Sequence, residues 1–167
     1  MQRRVFLLAA AVAAGLSGCG FALRKAPNYA FKTIYSGVGE GSTLGTELNR
    51  NLEAGGTVKV IRDARLIEQA EVILDVLLDQ REKTVVGVNA SGQVREFQLR
   101  TRFRFQLRTL KGKMLIPPDE IVLQRDISFN ESAVLAKETE EALLYRDMQS
   151  DIVQQILRRL AAVKSLE

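Results

Sequence analysis

The stretch Val94–Leu110 reads VREFQLRTRFRFQLRTL. Phe97, Leu99, Phe103, Phe105 and Leu107 fall at one parity, with Thr101 and Thr109 among them. Gln98, Arg100, Arg102, Arg104, Gln106 and Arg108 fall at the other. A period of two is the mark of a half-buried strand, apolar side inward. The alternation holds for about 43 Å at roughly 3.3 Å per residue, which is long for a globular strand. Four arginines then lie in a line on the outer side, about 6.6 Å apart. Two readings stay open for that strip. It is a solvated face neutralised across the ladder by Glu71, Asp75 and Asp79 of the preceding strand. Or it meets an anionic partner, because the guanidinium fork suits phosphate.

The flanking segments supply the rest of a sheet. Ala70 to Gln80 alternates Ala70, Val72, Leu74, Val76 and Leu78 against Glu71, Ile73, Asp75, Leu77 and Asp79, and predicts a neighbouring strand. Arg81 to Val94 contains Gly87, Asn89, Ser91 and Gly92 and reads as an irregular connection. After a turn at Lys111-Gly112-Lys113, Pro117-Pro118-Asp119 reads as a break. A strand through Ile121, Leu123, Ile127 and Phe129 follows. Upstream, Tyr29–Tyr35 and Thr57–Ile61 read as short strands. Between them lies a loop, Ser36–Gly45, with four glycines. Such a loop can cradle phosphate ahead of a helix, but it lacks the order and lysine of a P-loop, so a plain loop is the simpler reading.

Two helices complete the pattern. Ser42 or Thr43 caps one from about Leu44 to Ala54, striped by Leu44, Leu48 and Leu52 and ended by Gly55-Gly56. The other runs from about Ala133 to Val163, close to 45 Å. Its stripe is Leu144, Met148, Ile152 and Ile156, widened by Val153, Leu157 and Leu160. Glu138, Glu140 and Glu141 lie early, and Arg158, Arg159 and Lys164 late, as the helix dipole favours. The expected fold is an α+β two-layer sandwich: one mostly antiparallel or mixed sheet of four to five strands, with two helices on one face.

The start of the chain reads as an export signal. Arg3 and Arg4 precede an apolar run from Val5 to Leu16, then Ser17-Gly18-Cys19. That run is too short to span a bilayer, which takes about 20 residues, but it fits a signal. The paired arginines also suit a twin-arginine signal, although they are common in ordinary ones. Cys19 is the only cysteine in the sequence. Leu16-Ser17-Gly18-Cys19 resembles the lipobox of bacterial lipoproteins. That resemblance implies cleavage after residue 18, palmitate-type acylation of Cys19, and residues 19–167 as one lipid-anchored periplasmic domain. Gly20 rather than Asp after the cysteine implies the outer membrane. Losing Arg3 and Arg4 lowers the formal charge from +4 to +2, so any electropositive function must be local.

Histidine is absent. This removes His-based acid–base chemistry, Ser-His-Asp and Cys-His nucleophiles, and most zinc sites. A carboxylate-only enzyme, acting through Glu71, Asp75 and Asp79, stays open, but no spacing in the sequence argues for one. The reading is therefore non-catalytic, with no cofactor beyond the covalent lipid and no nucleic-acid partner.

The mature sequence as a whole resembles the LptE family of lipopolysaccharide-assembly lipoproteins. The resemblance is carried by Gly18-Cys19-Gly20-Phe21-Ala22-Leu23-Arg24, the Ser91-Gly92-Gln93 turn, Leu135-Ala136-Lys137-Glu138, and Gln155-Ile156-Leu157-Arg158-Arg159-Leu160. It implies a plug within the lumen of the LptD β-barrel that helps the barrel assemble and binds lipopolysaccharide for insertion into the outer leaflet. It also implies lipopolysaccharide contact at Lys137. The family's second basic residue, before the Gly-Gln turn, is not matched by Asn89, Ala90 or Ser91. Arg95 or Arg100 stands nearest to replace it. Arg100, Arg102 and Arg104 are further candidates, facing either the barrel wall or the lipid. The alternative is a lipoprotein of another outer-membrane machine, a pilotin or a lipid carrier.

Overall fold

The computed structural model describes residues 27–39 and 41–166. The signal, Cys19 and the Gly20–Arg24 segment lie outside them. The elements, in chain order, are β1 (Thr33–Ser36), α1 (Thr43–Ala54), β2 (Lys59–Ile61), a 3-10 turn (Ala64–Gln69), β3 (Val72–Val88), β4 (Val94–Thr109), β5 (Met114–Ser128), a second 3-10 turn (Glu131–Ala133) and α2 (Val134–Ala162). They form an α+β sandwich with one five-stranded mixed sheet ordered β2-β1-β3-β4-β5. β1 runs parallel to both β2 and β3, and β3, β4 and β5 are successively antiparallel.

The helices bury their stripes on one sheet face. Leu44, Leu48 and Leu52 of α1 and Ile152, Ile156 and Leu160 of α2 pack with Phe103, Phe105 and Leu107 of β4 and with Val72 and Leu74 of β3. Met148 joins Leu99 and Ile127 in a second cluster further along. Ser42 caps α1, its Oγ accepting from the Gly45 N–H at 3.2 Å. Asn130 caps the 3-10 turn, not α2, whose own cap residue Ala133 makes no side-chain bond.

Two expectations for the sheet are corrected. β3 does not stop at Gln80. It continues to Val88 and pairs with β4 along its length, so only Asn89–Gln93 forms the connection. Asn89 builds that turn: its Oδ1 accepts from the N–H groups of Ser91 (3.0 Å) and Gln93 (2.9 Å). Gly92 supplies the positive φ of 80°. Gly87 sits at a register shift where a Cβ would lie 3.0 Å from that of Glu96. Nor do Pro117 and Pro118 break the chain. β5 is the edge of the sheet, where a missing N–H goes unused on the outer side, and the ladder with β4 slips there, between Phe105–Asp119 and Leu107–Ile116.

A third departure decides where side chains go. Val76 pairs with Phe105, but Leu78 pairs with Arg104, so Leu77 is a bulge. Beyond it the parity of β3 inverts. Leu78 lies on the arginine side, while Asp79, Arg81 and Lys83 pair with Phe103, Thr101 and Leu99 on the helix side. Ala70 to Leu78 is therefore not one continuous core face.

Candidate functional site

The uncovered sheet face carries the arginine strip, and its neighbours largely neutralise it. Arg108 Nε donates to Asp75 Oδ2 at 2.7 Å, and Gln106 Nε2 donates to the same oxygen at 2.9 Å. Partial burial pushes the Asp75 carboxyl upward. The Arg108 and Gln106 hydrogen bonds and the Arg108 charge outweigh that and hold its pKa below the usual range. Arg102 donates to Glu120 at 2.7 Å and lies 3.9 Å from Glu82; Arg100 lies 3.7 Å from Glu82. The Glu120 hydrogen bond raises the Arg102 pKa above its usual value. Of the expected partners, Asp75 alone faces the strip. Glu71 accepts from the Lys32 and Thr33 N–H groups, and Asp79 is turned to the helix side, where Ser42 Oγ donates to it at 3.2 Å. Arg104 is exposed and has no hydrogen bond or ion pair among the described residues.

Lys137 lies on the other face. It lines a cleft of about 240 Å³ between the start of α2 and the far ends of β3, β4 and β5. Its Nζ donates to Ser128 Oγ at 3.0 Å and to Glu140 Oε2 at 2.8 Å. Phe97 and Phe129, edge to face with centroids 5.3 Å apart, form an aromatic wall. Lys83 lines the same cleft; its Nζ donates to Glu141 Oε2 at 2.6 Å and rests 4.3 Å from the Phe97 ring centre. Glu138 completes the charged lining.

The structure thus separates the candidate residues. Arg100, Arg102 and Arg104 share one face and do not reach Lys137. Arg95 is exposed at the hairpin end of β4, where its carbonyl accepts from the Phe129 N–H at 2.7 Å. Lys83 was missed from sequence because Asp79-Gln80-Arg81-Glu82-Lys83 is polar at both parities and shows no face. A polar knot between the helices was missed too. The Gln149 Oε1 accepts from Thr43 Oγ1 (2.6 Å) and Arg81 Nη2 (2.9 Å), and its Nε2 donates to Glu47 (2.7 Å). The glycine loop faces Arg62 and Arg65 across a crevice, but these guanidinia are held by Glu53 and Asp63. Among the described residues no His, Cys, Asp or Glu cluster is arranged to hold a metal.

These features define a sandwich with a bare, ion-paired sheet face and, at one end, an aromatic-walled cleft lined by two lysines and two glutamates. The LptE family model, described as lipopolysaccharide-assembly, matches residues 26–160. The chain belongs to this family. It is similar to the solution structure of an uncharacterized lipoprotein B from Nitrosomonas europaea, at 37% identity and TM-score 0.71, covering 86% of this chain and 91% of that one. The rare lipoprotein B of Shewanella oneidensis shares the fold at 24% identity and TM-score 0.62, with 78% and 94% covered. So does a minor lipoprotein of Acinetobacter baumannii, at 18% identity and TM-score 0.62, with 81% and 94% covered. A search of curated proteins finds no match.

Proposed function

We propose that this protein is a non-catalytic, lipid-anchored subunit of the outer membrane that plugs an LptD-type β-barrel, helps it assemble, and binds lipopolysaccharide for insertion into the outer leaflet. On this reading residues 1–18 are removed, Cys19 is acylated, and residues 19–167 form the periplasmic domain that enters the lumen. Family membership supports the lipopolysaccharide setting. The observation that carries the plug reading is the uncovered face of β3, β4 and β5. The lumen of a large barrel is polar and wet. A domain seated there needs a flat, charged surface that neither demands burial nor repels itself, and the ladder of Arg108–Asp75, Arg102–Glu120 and Arg100–Glu82 meets that need. Lys137, at the far end and on the other face, is the residue for the lipid. The sites thus divide: Arg100, Arg102 and Arg104 toward the barrel wall, Lys137 toward lipopolysaccharide, and Arg95 at the rim between them.

Site-specific photo-crosslinking in living cells tests this division. A crosslinker in place of Arg104 is expected to capture a large outer-membrane β-barrel, and one in place of Glu138 to capture lipopolysaccharide. Capture of neither from either position would contradict the proposal.

A further inference from the structure

We propose that Lys83 is the second cation of the Lys137 cleft, and that the two ammonium groups together hold one phosphate of a phosphorylated glycolipid. This rests on the lipopolysaccharide reading above and deepens it. The bulge at Leu77 is the first ground. Without it, Lys83 would project from the arginine face; with it, Lys83 pairs opposite Leu99 on the helix side and lines the same cleft as Lys137. The second ground is donor capacity. An ammonium has three N–H donors. Lys83 Nζ uses one, on Glu141, and Lys137 Nζ uses two, on Ser128 and Glu140. Each therefore keeps a donor for an added anion.

The third ground is the wall between them. Phe97 and Phe129 give the cleft an apolar side beside its charges, which suits an amphiphile better than a free ion. Glu138, Glu140 and Glu141 oppose any anion, so a ligand must draw on both ammonium groups to enter, which a singly charged carboxylate does only weakly. A phosphate monoester carries a charge near −2, and it competes for both ammonium groups at once. The Glu140 side chain is 49% exposed and can turn to water when displaced. Arg100, in contrast, is held by Glu82 on the opposite face and cannot serve here.

The test uses the full-length acylated protein in detergent, with purified lipopolysaccharide and the same lipid stripped of phosphate by phosphatase. Lys83→Gln is expected to weaken binding of the native lipid by about three- to tenfold, the scale of one charge-assisted contact at a half-exposed site. Lys83→Arg is expected to restore most of it. Adding Lys83→Gln to Lys137→Gln is expected to cost less than the two separate losses multiplied, since both grip one phosphate. Glu141→Gln, which frees Lys83, is expected to tighten binding. Unaltered affinity for Lys83→Gln beside a loss for Lys137→Gln would overturn the role of Lys83 and leave the lipopolysaccharide reading standing. Equal losses on native and stripped lipid would overturn the phosphate. If the unsubstituted protein bound neither lipid, the reading beneath the inference would fall with it.

Discussion

The Tyr145 hydroxyl donates to the backbone carbonyl of Glu82 at 2.8 Å, tying the middle of α2 to β3 one residue before Lys83. The Arg81 guanidinium lies 5.3 Å from the same ring centre. β1 pairs with β3 only as far as Leu74, so beyond that point side chains from the helices do the bracing. Burial, and then the nearby Glu141 charge, push the Tyr145 pKa up, which keeps the phenol a donor through the physiological range. Tyr145→Phe should cost about 1 kcal/mol, the net worth of one hydrogen bond, read as a lower urea midpoint. An unchanged midpoint would show that this tie does not hold α2 to the sheet.

Gln149 is 8% exposed and serves three partners on α1 and β3. Gln149→Leu fills the space but leaves Thr43, Arg81 and Glu47 short of a partner. Three part-buried hydrogen bonds are lost, each worth about 1 kcal/mol net, while Thr43 keeps Arg81 and Glu47 keeps Ser150, so a loss of about 2 kcal/mol is expected in equilibrium unfolding. A variant as stable as the parent would mean that water replaces the amide without cost.

Asp75 ties stability to acid. Its folded-state pKa lies below the ordinary value, so its contribution is complete above the unfolded value, near 4, and is lost as the pH falls through the folded one. Asp75→Asn should be less stable than the parent by about 1–2 kcal/mol at pH 7. The gap should narrow as the pH drops below about 4. A gap that stays constant from pH 7 to pH 3 would contradict the Arg108–Asp75 assignment.

Arg104 separates folding from binding on the bare face. Having no partner among the described residues, it contributes little to stability, and Arg104→Gln should shift unfolding by less than about 0.5 kcal/mol. Arg102→Gln breaks a 2.7 Å contact with Glu120 and should lower stability more than Arg104→Gln does. If the face lies against a barrel wall, Arg104→Gln should nonetheless lower recovery of the barrel complex at moderate salt. Equal recovery would return Arg104 to a solvated role.

The α+β class, both helices and the alternation of β4 were legible because each rests on local periodicity. Phe103, Phe105 and Leu107 are fully buried, as their parity required. What escaped depends on neighbours in space. Pro117 and Pro118 are tolerated only because β5 is an edge, and edge position is set by the whole sheet. The inversion at Leu77 has no local signature: Val76-Leu77-Leu78 is apolar at both parities, so either register looks sound. Lys83 followed the bulge to the far face, and no reading of β3 alone would have set it beside Lys137. The partners of the strip were legible in kind but not in identity. Asp75 is among those expected, whereas Glu82 lies in a stretch that reads as an irregular connection and Glu120 directly follows the Pro117-Pro118-Asp119 break.

A plug for a lipopolysaccharide-handling barrel is tested by a mild-detergent pull-down from outer membranes through a C-terminal tag, with mass spectrometry of protein and lipid. One large β-barrel should be recovered in equal amount with the tagged chain, and lipopolysaccharide with them. Recovery of the tagged chain alone, carrying neither barrel nor lipopolysaccharide, would contradict it.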